Sequence, residues 1–330
     1  MISWPDELIE VFDRSLTVTF TSVTKSGQPI STPLTPYLNR ETNTLDVSTG
    51  LTYPTKAERT RNNPLVTLVY NDPIGLGISE PPVVVVEGHG AVRDSDLQGN
   101  LDRYIRLSSA KLPDAMKGQP KFILKRFPWY FSRIWIEITP IKITWWPRGD
   151  LTCPPKSWTT DLSDFPASDA KPLGANQAPW LEPPDDWKTQ AEVAISRLGL
   201  RDLAFVDPNG QLFSLPVREV TRQISGFDFF VPPNFEIPNG SKASLVFHDH
   251  PERFTGQENR TFLGIIAPSS TRDPGRYSFE VTRLLADWSL PGNKLMAAKS
   301  FLSNGRKLAP RLKFEAQRRG QPIPKVRFPK

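Results

Sequence analysis

A chain of 330 residues exceeds the length at which one hydrophobic core usually stops growing, so two domains are expected. Its 38% apolar residues, with 19 Phe and 9 Trp, exclude a disordered polymer, and its 34 prolines, which cannot donate to a ladder or sit inside a helix, exclude a mostly helical fold. The single cysteine, Cys153, rules out an internal disulfide. The longest apolar strand run, residues 83–86, is far short of the roughly 20 residues that span a bilayer, and an opening with Asp6, Glu7, Glu10 and Asp13 lacks a secretory pattern, so no membrane partner and a cytoplasmic setting are expected.

In chain order, residues 4–16 read as an amphipathic helix with Leu8, Ile9, Val11 and Phe12 on one face, starting at Ser3 or Trp4 before Pro5. A β-hairpin follows, turning at Lys25-Ser26-Gly27-Gln28 and returning through residues 29–36. Residues 44–70 then read as strand, turn, short helix and strand. Pro54 suits the first helical position, and Asn62-Asn63-Pro64 ends the helix. Strands at 83–86 and 133–139 complete the first half.

The same order recurs. A helix is predicted over 187–200 from Asp185 or Asp186, with Ala191, Val193, Ala194, Ile195 and Leu198 apolar. A hairpin turns at Asp207-Pro208-Asn209-Gly210-Gln211, residues 243–251 match 66–73, and Arg276 opens a strand as Arg133 does. Laying 4–146 over 187–289 predicts an internal duplication, a pseudo-dimer within one chain. Residues 147–186 carry eight prolines and read as an extended linker that wraps or spans. The expected domains are therefore 1–146, a linker at 147–186, a degenerate second barrel at 187–290, and a helix with a basic tail at 291–330. From 306 onward that tail has nine Lys or Arg against the single acid Glu315, and a flexible or partner-wrapping arm is expected rather than a nucleic-acid-binding one.

Residues 44–70 carry the chemistry. Thr49, Thr52 and Thr55 offer hydroxyls, the first helical turn offers free amides, and Lys56, Arg59 and Arg61 supply positive charge, a combination suited to phosphate. The segment resembles the flavin-phosphate segment of the pyridoxamine 5′-phosphate oxidase family, in Lys56-Ala57 followed by Asn62-Asn63-Pro64-Leu65-Val66 and, downstream, in residues 83–96 with Gly88 and His89. The resemblance covers roughly residues 14–146. It implies a mainly β (α+β) fold of tandem split β-barrels with short helices, binding FMN. Lys56 and the Thr49 hydroxyl would hold the phosphate. Ser48, Thr52, Thr55, Arg59, Asn63 and His89 would border the site, and Thr32 would lie on the 30–35 strand beneath the isoalloxazine ring.

Family sites commonly form between two barrels, so the second barrel would serve as internal partner, or a homodimer would form. The return strand at 30–35 carries no charge, unlike the true oxidases, so pyridoxamine phosphate oxidation is not expected. In the second half, residues 231–242 replace the phosphate helix, implying one flavin per chain. An FMN-dependent oxidoreductase acting on a small molecule is the leading expectation. The alternatives are a deazaflavin (F420)-dependent reductase and a non-catalytic flavin- or haem-binding protein. No side-chain catalyst is predicted, since a flavin carries its own reactive atom. His248 and His250 are read as part of a surface turn rather than a metal site, and Trp129, Tyr130, Trp145 and Trp146 as packing.

Overall fold

The computed structural model describes residues 4–116, 120–177, 186–233, 235–268, 273, 275–290 and 294–328. Ser3 and Asp185, predicted as helix starts, lie outside them, as do Pro179, Pro183 and Pro184 of the predicted linker.

The first half opens with α1 (Asp6–Arg14) and the hairpin β1 (Val18–Val23) and β2 (Pro29–Leu34). There follow β3 (Pro36–Asn39), β4 (Thr44–Gly50), α2 (Thr55–Asn62), β5 (Leu65–Tyr70), β6 (Val83–Arg93), α3 (Leu97–Lys111), α4 (Lys121–Leu124), α5 (Pro128–Phe131), β7 (Arg133–Trp146) and β8 (Lys156–Thr159). The second half holds α6 (Trp187–Arg197), β9 (Leu200–Val206), β10 (Leu212–Pro216), β11 (Arg218–Arg222), β12 (Gly226–Phe230), β13 (Lys242–Asp249), β14 (Glu258–Pro268), β15 (Arg276–Ala286) and α7 (Lys294–Arg318).

Two curled antiparallel sheets result, in the orders β2-β1-β5-β6-β7-β4-β3 and β10-β9-β13-β14-β15-β12-β11, with β8 added to β7. The order is the same in both. The chain is mainly β, a tandem of split barrels. Each barrel closes on inward-pointing side chains: Phe20, Leu45, Val47, Leu68, Ile134 and Ile136 in the first, and Phe205, Phe227, Phe229, Phe247, Phe262 and Phe279 in the second.

The barrels meet through small polar side chains in matched pairs. Thr67 on β5 contacts Ser214 on β10 at 2.5 Å. Their counterparts by strand register are Ser244 on β13 and Ser31 on β2, and the Ser31 amide donates to Ser244 Oγ at 3.3 Å. Asn71 Nδ2 donates to Asp202 Oδ1 at 2.7 Å, and the counterpart pair His248 and Thr19 meets at 3.1 Å. Each contact thus has its reciprocal, the signature of an isologous interface.

Two expectations are corrected here. His248 and His250 are 0% and 5% exposed, because the strand end that reads as a surface turn faces the other barrel. There His250 Nε2 meets Asp72 Oδ2 at 2.6 Å. The basic tail is not a flexible arm: α7 lays Leu308, Leu312 and Ala316 into the first core. The described part of the 147–186 segment adds β8 to the first sheet and then runs along that barrel, where Ser168 Oγ accepts from the Val92 amide at 3.0 Å and Asp169 Oδ2 from the amides of Asp94 and Ser95 at 2.7 and 2.8 Å.

Candidate functional site

Between the end of β2 and the start of α2 lies a cleft of about 210 Å³. Leu34, Thr35 and Tyr37 form one side, Ser48, Thr49 and Gly50 of β4 the floor, and Tyr53 and Lys56 the phosphate-helix side. Tyr104 of α3 and Arg133 of β7 close it, and Gln257 reaches in from the second barrel.

Local structure places these groups. β4 ends at Gly50, and a tight turn (Tyr53 N–H to Gly50 O, 2.8 Å) leads into α2, whose first helical bond runs from Glu58 N–H to Pro54 O at 2.9 Å. The amides of Thr55, Lys56 and Ala57 therefore have no helical acceptor, and the positive end of the helix dipole faces the turn. Thr49 Oγ1 donates to Tyr53 O at 3.1 Å, fixing the turn and leaving its lone pairs free. A Cβ on Gly50 would stand 3.1 Å from Arg133 Nη1 and 3.3 Å from the Tyr53 ring, so glycine is what lets the guanidinium cross β4.

The electrostatics are one-sided. Burial pulls the Lys56 ammonium down to about 8, with Arg59 and then Arg133 adding repulsion. Burial likewise lowers Arg59 to about 10. For Arg133 burial opposes the charge, but Tyr104, Tyr130 and Tyr37 around it more than offset this and hold its pKa above the ordinary value. Tyr104 OH accepts from Arg133 Nη2 at 3.0 Å, and the guanidinium lies 4.2 Å over the Tyr104 ring. Among the described residues no carboxylate pairs with Lys56, Arg59 or Arg133. Three half-buried cations without a carboxylate counter-ion favour an anion.

The sequence-predicted residues divide. Ser48, Thr49 and Lys56 line the cleft. Thr52 lies behind it, with its hydroxyl buried and unpartnered. Arg59 stands behind Lys56, donating from Nε to Ser22 Oγ at 3.0 Å. Thr55 is exposed at the helix start. Thr32, Asn63 and His89 are not among the lining residues. Asn63 Oδ1 instead accepts from the Leu65 amide at 3.1 Å, ending α2, and His89 stacks on Phe165 with centroids 5.0 Å apart. Tyr37, Tyr53, Tyr104, Arg133 and Gln257 escaped the sequence reading of the site. Only Arg133 left a signal, as the strand-opening arginine repeated at Arg276.

No family model matches the chain, and no curated protein matches it. Among solved structures it is similar to an F420 reductase, with 18% identity over 42% of this chain and 98% of that one and a TM-score of 0.32. It is similar to a protein of the pyridoxinephosphate oxidase family from Clostridium acetobutylicum, with 12% identity, 48% and 98% coverage and a TM-score of 0.33. A third is a pyridoxamine 5′-phosphate oxidase-related, FMN-binding protein from Nostoc punctiforme, with 13% identity, 66% and 98% coverage and a TM-score of 0.33.

The second split barrel of this chain differs at the corresponding place. By strand register Asp228, Phe229 and Phe230 stand where Ser48, Thr49 and Gly50 stand in the first barrel. Asp228 Oδ2 lies 3.3 Å from Arg276 Nη2, so the counterpart of Arg133 already has its anion. Phenyl groups replace the hydroxyl and the glycine. The cationic cleft is thus built on one barrel of the two.

Proposed function

We propose that the cleft of the first barrel grips the phosphate of FMN and that the chain is an FMN-dependent oxidoreductase acting on a small molecule. The observation that carries this is the half-buried Lys56 ammonium lining the cleft beside Arg59 and Arg133 with no carboxylate partner among the described residues. The residues present fit the group. Ser48 and Thr49 add hydroxyls, the α2 amides add donors, and the buried, unpartnered Thr52 hydroxyl stands next to them. A volume of about 210 Å³ suits the phosphate-bearing part of a mononucleotide and is below the 300–1,000 Å³ typical of sites that engulf a whole drug-sized ligand.

A bound flavin supplies the hydride- and electron-transfer chemistry. The chain's own residues bind and orient. Lys56 and Arg133 neutralise the phosphate, while Leu34 and Tyr37 wall the cleft from water. Gln257 Nε2 donates to Pro33 O at 2.7 Å, which leaves its buried Oε1 as a free acceptor for a ligand N–H. A deazaflavin would use the same anion grip, and mass spectrometry of the released chromophore separates the two.

The visible spectrum of the purified protein, followed by FMN titration of the stripped protein, tests the proposal. Flavin bands, and saturable binding that Lys56→Met weakens by about 100-fold, are the expected result. Full flavin occupancy in Lys56→Met would overturn it.

A further inference from the structure

Glu58 is the one carboxylate on α2, the helix that carries Lys56, and it does not line the cleft. Its Oε1 lies 3.8 Å from Nη2 of Arg318 and 3.8 Å from Nη2 of Arg319, at the end of the C-terminal helix. The same arginines donate to Glu315 Oε2 at 2.7 Å each. Asp94 accepts from Arg319 at 2.8 Å and from Arg61 at 2.9 Å. Three carboxylates and three arginines, none more than 13% exposed in its side chain, make a closed, balanced set behind α2. Two turns earlier on α7, Arg311 Nε donates to Thr52 O at 3.2 Å, in the turn between β4 and α2. Leu308, Leu312 and Ala316 share a core with Leu51 of that turn and Ala57 of α2.

We infer that the C-terminal helix is a clamp on the anion-binding turn: Arg311 positions the 50–54 backbone, and Arg318 with Arg319 anchors α2 through Glu58, which lies on the helix face away from Lys56. The inference deepens the proposed function and rests on it for the ligand, though the clamp itself is a property of the free protein. The arginines act through other groups and touch no ligand, so they are positioning residues.

Two measurements on the full chain test the clamp. Hydrogen exchange without ligand, followed by peptide mass spectrometry, should show residues 50–56 exchanging faster in Arg311→Ala, with Arg311→Lys restoring much of the protection. In parallel, FMN and riboflavin are titrated as probes that differ only in the phosphate. Arg311→Ala should weaken FMN by about ten-fold, the scale of one charged hydrogen bond, and leave riboflavin unchanged. Glu58→Gln, which removes the α2 end of the anchor, should speed exchange across residues 55–62 and weaken FMN by about three-fold while leaving riboflavin unchanged. Unchanged exchange in Arg311→Ala, or equal weakening of riboflavin, overturns the Arg311 role, and unchanged exchange in Glu58→Gln overturns the Glu58 role. A wild type that binds neither probe removes the FMN reading, and the exchange result alone then decides on the clamp.

Discussion

Lys56 is a cation whose surroundings disfavour its charge, and that sets a pH signature. With its pKa near 8 in the free protein, it loses its proton as pH rises through that value, whereas an unfolded lysine keeps it to about 10.5. The fold therefore carries the full cost of the buried ammonium below pH 8 and is relieved of it between about 8 and 10.5; an anion in the cleft relieves it at lower pH. Affinity for FMN should fall steadily above about pH 8, and in Lys56→Met that fall should disappear. Isothermal titration from pH 7 to 9.5 reads both. At pH 7 the same variant should bind FMN roughly 100-fold more weakly, two to three kilocalories per mole of charge-assisted bonding. Ser48, Thr49 and Lys56 stood out in the sequence because a strand end and the helix after it are contiguous. Arg133, Tyr104 and Gln257 come from elements far along the chain, and nothing local marks them as neighbours of Lys56.

At the level of elements, α2 sits where it does because β6 makes room for it. A Cβ on Gly90 would stand 2.6 Å from Thr60 Cγ2 of α2 and 3.3 Å from Ile136 Cγ2 of β7. Gly90→Ala should lift the helix, lowering stability by about 1–3 kcal/mol and weakening FMN binding together. A urea midpoint and an FMN titration on one preparation would show the two effects moving in step. Strand positions and turns were largely legible, since alternation, Gly-Gln turns and the Asn-Asn-Pro stop are local signals. The helix ends came out short of expectation, with α1 at Asp6–Arg14 against 4–16 and α6 at Trp187–Arg197 against 187–200. The docking of α7 was not legible. Its charges read as a solvated arm because their partners Glu58 and Asp94 lie more than two hundred residues away.

For the whole molecule, the joint between the barrels is polar and therefore sensitive to protonation. Burial disfavours the charge on His250, but the Asp72 carboxylate and the Pro251 carbonyl outweigh it and raise its pKa. Burial would raise Asp72, yet the hydrogen bonds from His250 and Thr17 pull it below the ordinary value. The histidine's contribution is fully present below about 6.5 and lost as pH rises through its raised folded pKa; the aspartate's is present above about 3.8 and lost as pH falls through its lowered one. His250→Asn should accordingly cost about 1–3 kcal/mol near pH 5.5, where it removes the protonated imidazole from the Asp72 carboxylate, and less at pH 9. Thermal melts at the two values would check this. The matching strand orders were foreseeable from repeated motifs. The burial of His248 and His250 was not, because it depends on the face the other barrel presents.

The salt bridge between Asp228 and Arg276 has a bearing on response to ligand concentration. A symmetric assembly of two such barrels would own a pair of equivalent cavities able to influence one another, and hence a graded or sigmoidal dose response. With one of the pair internally quenched, ligand occupancy should trace a plain hyperbola with a Hill coefficient of about 1 rather than a threshold.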